Sequence, residues 1–120
     1  MATFSKLVLS GSTDGKLIKV VQTATAGTTI HTGSDTATTF DEVWLYAQNN
    51  HTADVLLTVE FGGVASPDDL IQVTVPFKSG LYLVVAGLPI KGNATPLVIK
   101  AFAATANVIS IGGYVNRITA

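Results

Sequence analysis

Cysteine is absent from this 120-residue chain, and charge is scarce. Without a thiol there is no disulfide, no thiolate metal site and no cysteine nucleophile. Charged residues make up 12% of the chain, half the share of roughly 25% usual in globular domains, and the net charge is −1. No run of lysine or arginine occurs, so nothing steers the protein to nucleic acid. The start, Met1-Ala2-Thr3-Phe4-Ser5-Lys6, has neither the basic residues nor the apolar centre of a secretion signal. No apolar run approaches the ~20 residues needed to span a bilayer. The expectation is a product of a cytosol with no membrane partner, in which the N-x-T matches at Asn50 and Asn93 carry no glycan.

An apolar helical period is missing as well. The polar remainder is mostly Thr, Gly, Ser and Asn, a mixture that suits pleated strands and turns rather than helices. Short runs with β character recur: Lys6-Ser10, Lys16-Val21, Thr28-Thr32, Asp41-Gln48, Val55-Phe61, Leu70-Val75, Leu81-Val85, Leu97-Ala103 and Val108-Ile118. Asp14-Gly15 can supply positive φ, which predicts a hairpin between the first two runs. Asn49 to Asp54 predicts a second hairpin, joining the runs at 41–48 and 55–61. Val55, Leu57, Val59 and Phe61 share one parity and form a core stripe. Ser66-Pro67-Asp68-Asp69 reads as a helical turn capped by Ser66. Gly87 to Pro96 reads as a loop, and Gly112-Gly113 as a bulge or a close backbone approach. The chain is therefore expected to be all-β: one domain over residues 1–120, an antiparallel, jelly-roll-like β-sandwich of eight to nine strands, with residues 1–5 as a flexible arm.

Few residues could do chemistry. His31 and His51 lie in separate segments without metal-ligand spacing, and read as polar side chains on a strand and a turn. Glu42 and Glu60 would be cross-strand neighbours in the second hairpin. A glycosidase pair sits ~5–9 Å apart, but two exposed strand glutamates explain the pattern more simply. Asp68 and Asp69 suit a helix start better than a Ca²⁺ site. Ser10, Ser12 and Ser79 have no nucleophile-elbow context, and no phosphate loop is present. The expectation is no catalytic residue, no metal and no cofactor.

The aromatic residues are more informative. In Glu42-Val43-Trp44-Leu45-Tyr46-Ala47, Val43, Leu45 and Ala47 fill one parity while Trp44 and Tyr46 occupy the other. Leu81-Val85 and Leu97-Phe102 are also apolar on both parities, whereas Phe61 and Phe77 read as internal. A chain of this size cannot cover both faces of most of its strands, and aromatic anchors are enriched at protein interfaces. Trp44, Tyr46, Tyr82 and Tyr114 are the candidate contacts.

Asp41-Glu42-Val43-Trp44-Leu45-Tyr46-Ala47, Ser66-Pro67-Asp68-Asp69-Leu70-Ile71, Ala101 to Ile109 and Gly113-Tyr114-Val115-Asn116-Arg117-Ile118 together resemble small virion structural proteins of tailed bacteriophages, from about Phe4 to Ile118. Within that group the chain looks most like the jelly-roll cement, or head-decoration, proteins. The resemblance implies a place on the capsid surface of a virion, synthesis in the bacterial host cytoplasm, and two partners. These are the major capsid protein and sibling subunits, as a homotrimer first and a homodimer second. A tail, connector or fibre-associated protein is the nearest rival, followed by a carbohydrate-binding module using Trp44, Gln48 and Asn49.

Overall fold

The computed structural model describes residues 2–119. It contains nine strands and, among the described residues, no helix: β1 (Thr3–Val8), β2 (Ile18–Lys19), β3 (Thr28–Thr32), β4 (Thr39–Asn49), β5 (Val55–Phe61), β6 (Leu70–Val75), β7 (Tyr82–Lys91), β8 (Val98–Ala103) and β9 (Ile109–Thr119). One sheet runs β1-β9-β4-β7, with β2 also on β9; the other runs β3-β8-β5-β6. Every pairing is antiparallel.

The pairs β1–β9, β3–β8, β4–β7 and β5–β6 nest inside one another, as in a single long hairpin. Rolling that ribbon up brings β9 against β4 and β8 against β5, which closes the two sheets. This is the winding of a jelly roll, an arrangement of two packed sheets. The inward parities fill the space between them: Val43, Leu45 and Ala47 from β4, Val55, Leu57 and Val59 from β5, Ile99, Ala101 and Ala103 from β8, and Ile109, Ile111 and Val115 from β9. Fully burying each large side chain among them contributes about 1.5–3 kcal/mol.

Several local expectations change. Neither hairpin exists. Asp14 and Gly15 do take positive φ, of 55° and 82°, but β1 and β2 lie end to end on the same edge of β9. Between them the chain crosses to the second sheet, where the Gly11 N–H donates to the Ile30 carbonyl at 2.9 Å. β4 and β5 likewise lie in different sheets. Asn49 pins that crossover: its Nδ2 donates to the Ala53 and Val75 carbonyls and its Oδ1 accepts the His51 N–H. Turn chemistry reports that a chain reverses, not which strand it then meets.

The segment expected to loop from Gly87 continues as strand to Lys91, with Val84 and Gly87 as extra residues at two register shifts against β4. Pro89 is tolerated because β7 is an edge strand. Residues 66–69 form a single turn, closed by the i→i+4 bond from the Asp69 N–H to the Ala65 carbonyl at 2.9 Å and by the Leu70 N–H to the Pro67 carbonyl at 3.2 Å. The side-chain bond that braces it comes from Asp69, whose carboxylate accepts the Ala65 N–H at 3.1 Å, rather than from Ser66. Phe77 is half exposed after β6, not internal. Thr3–Ser5, expected in an arm, belong to β1, and Met1 lies outside the described residues. Gly113 is a close approach: a Cβ there would collide with the Trp44 backbone.

Candidate functional site

Cross-strand partners in an antiparallel sheet share a face, so register shows which side chains stand together. On the outer face of the first sheet they form rows across four strands. Phe4, Ile118, Phe40 and Lys91 make the first row; Lys6, Asn116, Glu42 and Pro89 the second; Val8, Tyr114, Trp44 and Ala86 the third. In the fourth, Leu17 lies over Gly112 beside Tyr46 and Leu83. Three of the four rows are mainly apolar. Phe4 is 65% exposed, Val8 55% and Leu83 48%.

The centre of this face is ordered by its own contacts. Trp44 and Tyr114 stack at 6.2 Å between ring centroids and 13° between planes. Lys6 of β1 also reaches over the Tyr114 ring, 4.7 Å from its centroid, a cation–π contact. The Glu42 carboxylate accepts the Trp44 indole N–H at 2.7 Å and the Asn116 amide N–H at 3.0 Å. Those bonds, the indole's foremost, hold its carboxyl below the ordinary glutamate range. The indole edge also passes close to Gly87, where a Cβ would come within 3.0 Å of it. Trp44 is therefore held in place with part of its surface still open to solvent.

Of the four candidate contacts, Trp44, Tyr46 and Tyr114 share this outer face. Tyr82 does not join them. It pairs with Ala47, whose parity points inward, and it lies at the end of β7. The register shift at Val84 reverses the parity that unbroken alternation would assign.

A second constellation lies on the inner side and went unseen in the sequence. Asp41, fully buried on β4, accepts two hydrogen bonds from Arg117 of β9, at 2.8 and 2.9 Å, and one from His31 Nε2 of β3 at 2.7 Å. The backbone N–H of Ser10 donates to His31 Nδ1 at 3.1 Å. This fixes the tautomer: Nδ1 is the acceptor, so Nε2 carries the proton given to Asp41. Burial alone would raise the Asp41 carboxyl, but the hydrogen bonds from Arg117 and His31 and the charge of Arg117 outweigh it and hold it below the ordinary range. Charge on an inward parity of β4 and β9 was the available signal, since a buried charge requires a partner.

Ser10, His31 and Asp41 are the residue types of a nucleophile triad, but their geometry differs from one. Ser10 gives His31 its backbone N–H, while its hydroxyl accepts the Thr32 N–H at 2.7 Å. Both imidazole nitrogens are engaged, which leaves no lone pair to activate a hydroxyl. A cleft of about 360 Å³ opens beside them, lined by Leu7, Val8, Asp35, Pro96 and Arg117 among others. Among the described residues no group of three or more His, Asp or Glu side chains could hold a metal ion.

Glu42 and Glu60 are not neighbours, because their strands belong to different sheets. Glu60 is also fully buried rather than exposed. Its carboxylate accepts the Gly27 N–H at 2.7 Å and the Thr25 hydroxyl, so the segment before β3 folds over it. Among the described residues no helix is long and apolar enough to cross a membrane. No protein-family model, curated protein or solved structure matches this chain.

Proposed function

We propose that this jelly-roll chain is a capsid decoration protein of a tailed bacteriophage, one that binds the outer surface of the head, bridges major capsid subunits and stabilises their lattice. The observation that carries the reading is the outer face of the β1-β9-β4-β7 sheet, where aromatic and aliphatic rows span four strands, with Phe4, Val8 and Leu83 exposed at the margins and Trp44, Tyr46 and Tyr114 partly exposed between them. The sequence resemblance supplies the class of partner. In this reading one surface of the sandwich meets the capsid shell and another meets sibling subunits, and no residue has a catalytic role. Many copies on a repeating lattice gain avidity from weak individual contacts. A rigid sheet face loses little conformational freedom when it binds.

The ordered centre of the face favours packing over sugar recognition. A sugar site on Trp44, Gln48 and Asn49 would need free polar groups beside the ring, but Asn49 is fully buried with its amide bonded to Ala53, Val75 and His51, and the Trp44 indole N–H is taken by Glu42.

The test is to purify the virus particles encoded with this gene and count copies of the chain by quantitative mass spectrometry, locating them by cryo-electron microscopy. Decoration predicts hundreds of copies on the outside of the head. About a dozen copies at a vertex or in the tail would transfer the chain to the connector or tail class. Absence from the particle would end the virion reading.

A further inference from the structure

We propose that the outer face of the β1-β9-β4-β7 sheet packs against the same face of a second copy of this chain, about a two-fold axis running along the β9–β4 strand pair. The inference rests on the reading of that face as an assembly surface and names its occupant.

Size is the first argument. At about 3.3 Å per residue and 4.8 Å between strands, the face measures about 36 by 19 Å, or about 700 Å² per copy. Two such faces bury about 1,400 Å², within the range of about 1,200–2,000 Å² typical of stable specific interfaces.

The rows supply the second argument. A two-fold axis along the central strands lays each row on its own reversed copy, so like does not fall on like at the margins. Val8 of one copy comes over Ala86 of the other, a larger side chain over a smaller one. Phe4 comes over Lys91, a ring beneath an ammonium group. In the polar row, Lys6 and Glu42 of one copy are separated by the whole of β9, about 10 Å of strand spacing. Across the axis, Lys6 falls within about one strand spacing, roughly 5 Å in the plane of the sheet, of the other copy's Glu42. The face thus carries its own opposite charge, arranged so that a second copy supplies it in both directions, as an isologous interface requires.

The absence of cysteine makes the test direct. Ser110 pairs with Gln48 beside the proposed axis, Leu83 lies at the β7 margin of the same face, and Leu56 lies on the outer face of the other sheet. In the full chain, Ser110→Cys treated with a short bismaleimide should give covalent dimers in high yield, while Leu83→Cys and Leu56→Cys should not. Sedimentation equilibrium of the unmodified protein should give a dimer. Val8→Glu together with Leu83→Glu should raise its dissociation constant at least a hundredfold without moving the thermal midpoint by more than a few degrees. Lys6→Glu should weaken the dimer about tenfold, and adding Glu42→Lys should recover part of that loss. A trimer, a monomer at all concentrations, or cross-linking through Leu56→Cys in place of Ser110→Cys would overturn the two-fold pairing. A chain that decorates heads but is monomeric in solution refutes this inference and leaves the proposed function standing. A two-fold dimer that binds no viral head does the reverse.

Discussion

β4 and β5 are each an inner strand of its sheet, and both send alternate residues into one core, yet their outer faces differ in kind. β4 turns Phe40, Glu42, Trp44, Tyr46 and Gln48 outward; β5 turns out Leu56, Thr58 and Glu60. The chain closes much of the β5 side itself. Thr58 accepts a hydrogen bond from Gln72 at 3.3 Å, and the segment at Thr25–Gly27 covers Glu60. Among the described residues no such segment closes over Trp44 and Tyr46, which stay partly exposed. One sheet is partly closed by its own chain, and among the described residues the outer face of the other is closed less. Asp41 and Glu42 show the same division within a single strand, since the first faces the core and the second orders the outer face.

That contrast can be broken at several points. The largest effect should come from Asp41→Ala, which leaves Arg117 without its buried counter-charge and the His31 ring N–H without its acceptor, and should cost about 3–5 kcal/mol in urea unfolding. A loss no larger than that of an ordinary surface change would show that the triad is not holding the sheets. Leu45→Ala on β4 and Leu57→Ala on β5 should each cost about 2–5 kcal/mol, because the two strands are equivalent on their inner faces. Glu60→Ala should cost about 1–3 kcal/mol and speed amide exchange at Gly27, which loses its acceptor. Outer substitutions on β1 and β7 such as Val8→Thr and Leu83→Ser should shift stability by no more than about 0.5 kcal/mol while weakening assembly. Were they to unfold the chain instead, the outer face would be part of the fold rather than a contact.

Acid should act on the two carboxylates in the same sense. Both are depressed in the folded protein, so each contributes stability that is complete above its unfolded value, about 3.9 for aspartate and 4.3 for glutamate, and is lost as pH falls through the lower folded value. Below about pH 4 unfolding should follow Asp41. Loss of the Glu42–Trp44 bond should appear separately, as a change in the emission of Trp44, the chain's one tryptophan. In Asp41→Asn the acid dependence of unfolding should flatten.

Much of the fold was legible because alternation survives translation into sheets. The stripe of Val55, Leu57 and Val59, the double-sided run around Trp44 and the glycines at 112–113 all sit where their pattern placed them. Strand partners were not legible. Asp14-Gly15 does turn the chain, but β9, a hundred residues later, decides where β1 and β2 lie. The extension of β7 was hidden by Gly87 and Pro89, residues that punctuate a loop in most settings but fit a bulged edge strand here. Of the outer site, Trp44, Tyr46 and Tyr114 were visible as surplus aromatic residues, and only the register showed that Tyr82 stands apart. The His31–Asp41–Arg117 constellation draws on three strands, so no local pattern announces it. The segment over Glu60 was missed for the same reason.

The account depends most on the outer face of the first sheet being covered when the protein is assembled, and Trp44 reports on that face directly. Acrylamide quenching of its fluorescence should be measured from dilute to concentrated protein and again on decorated heads. The account predicts quenching that falls several-fold as subunits associate and stays low on the particle. Quenching that is equally efficient in dilute, concentrated and capsid-bound protein would contradict it.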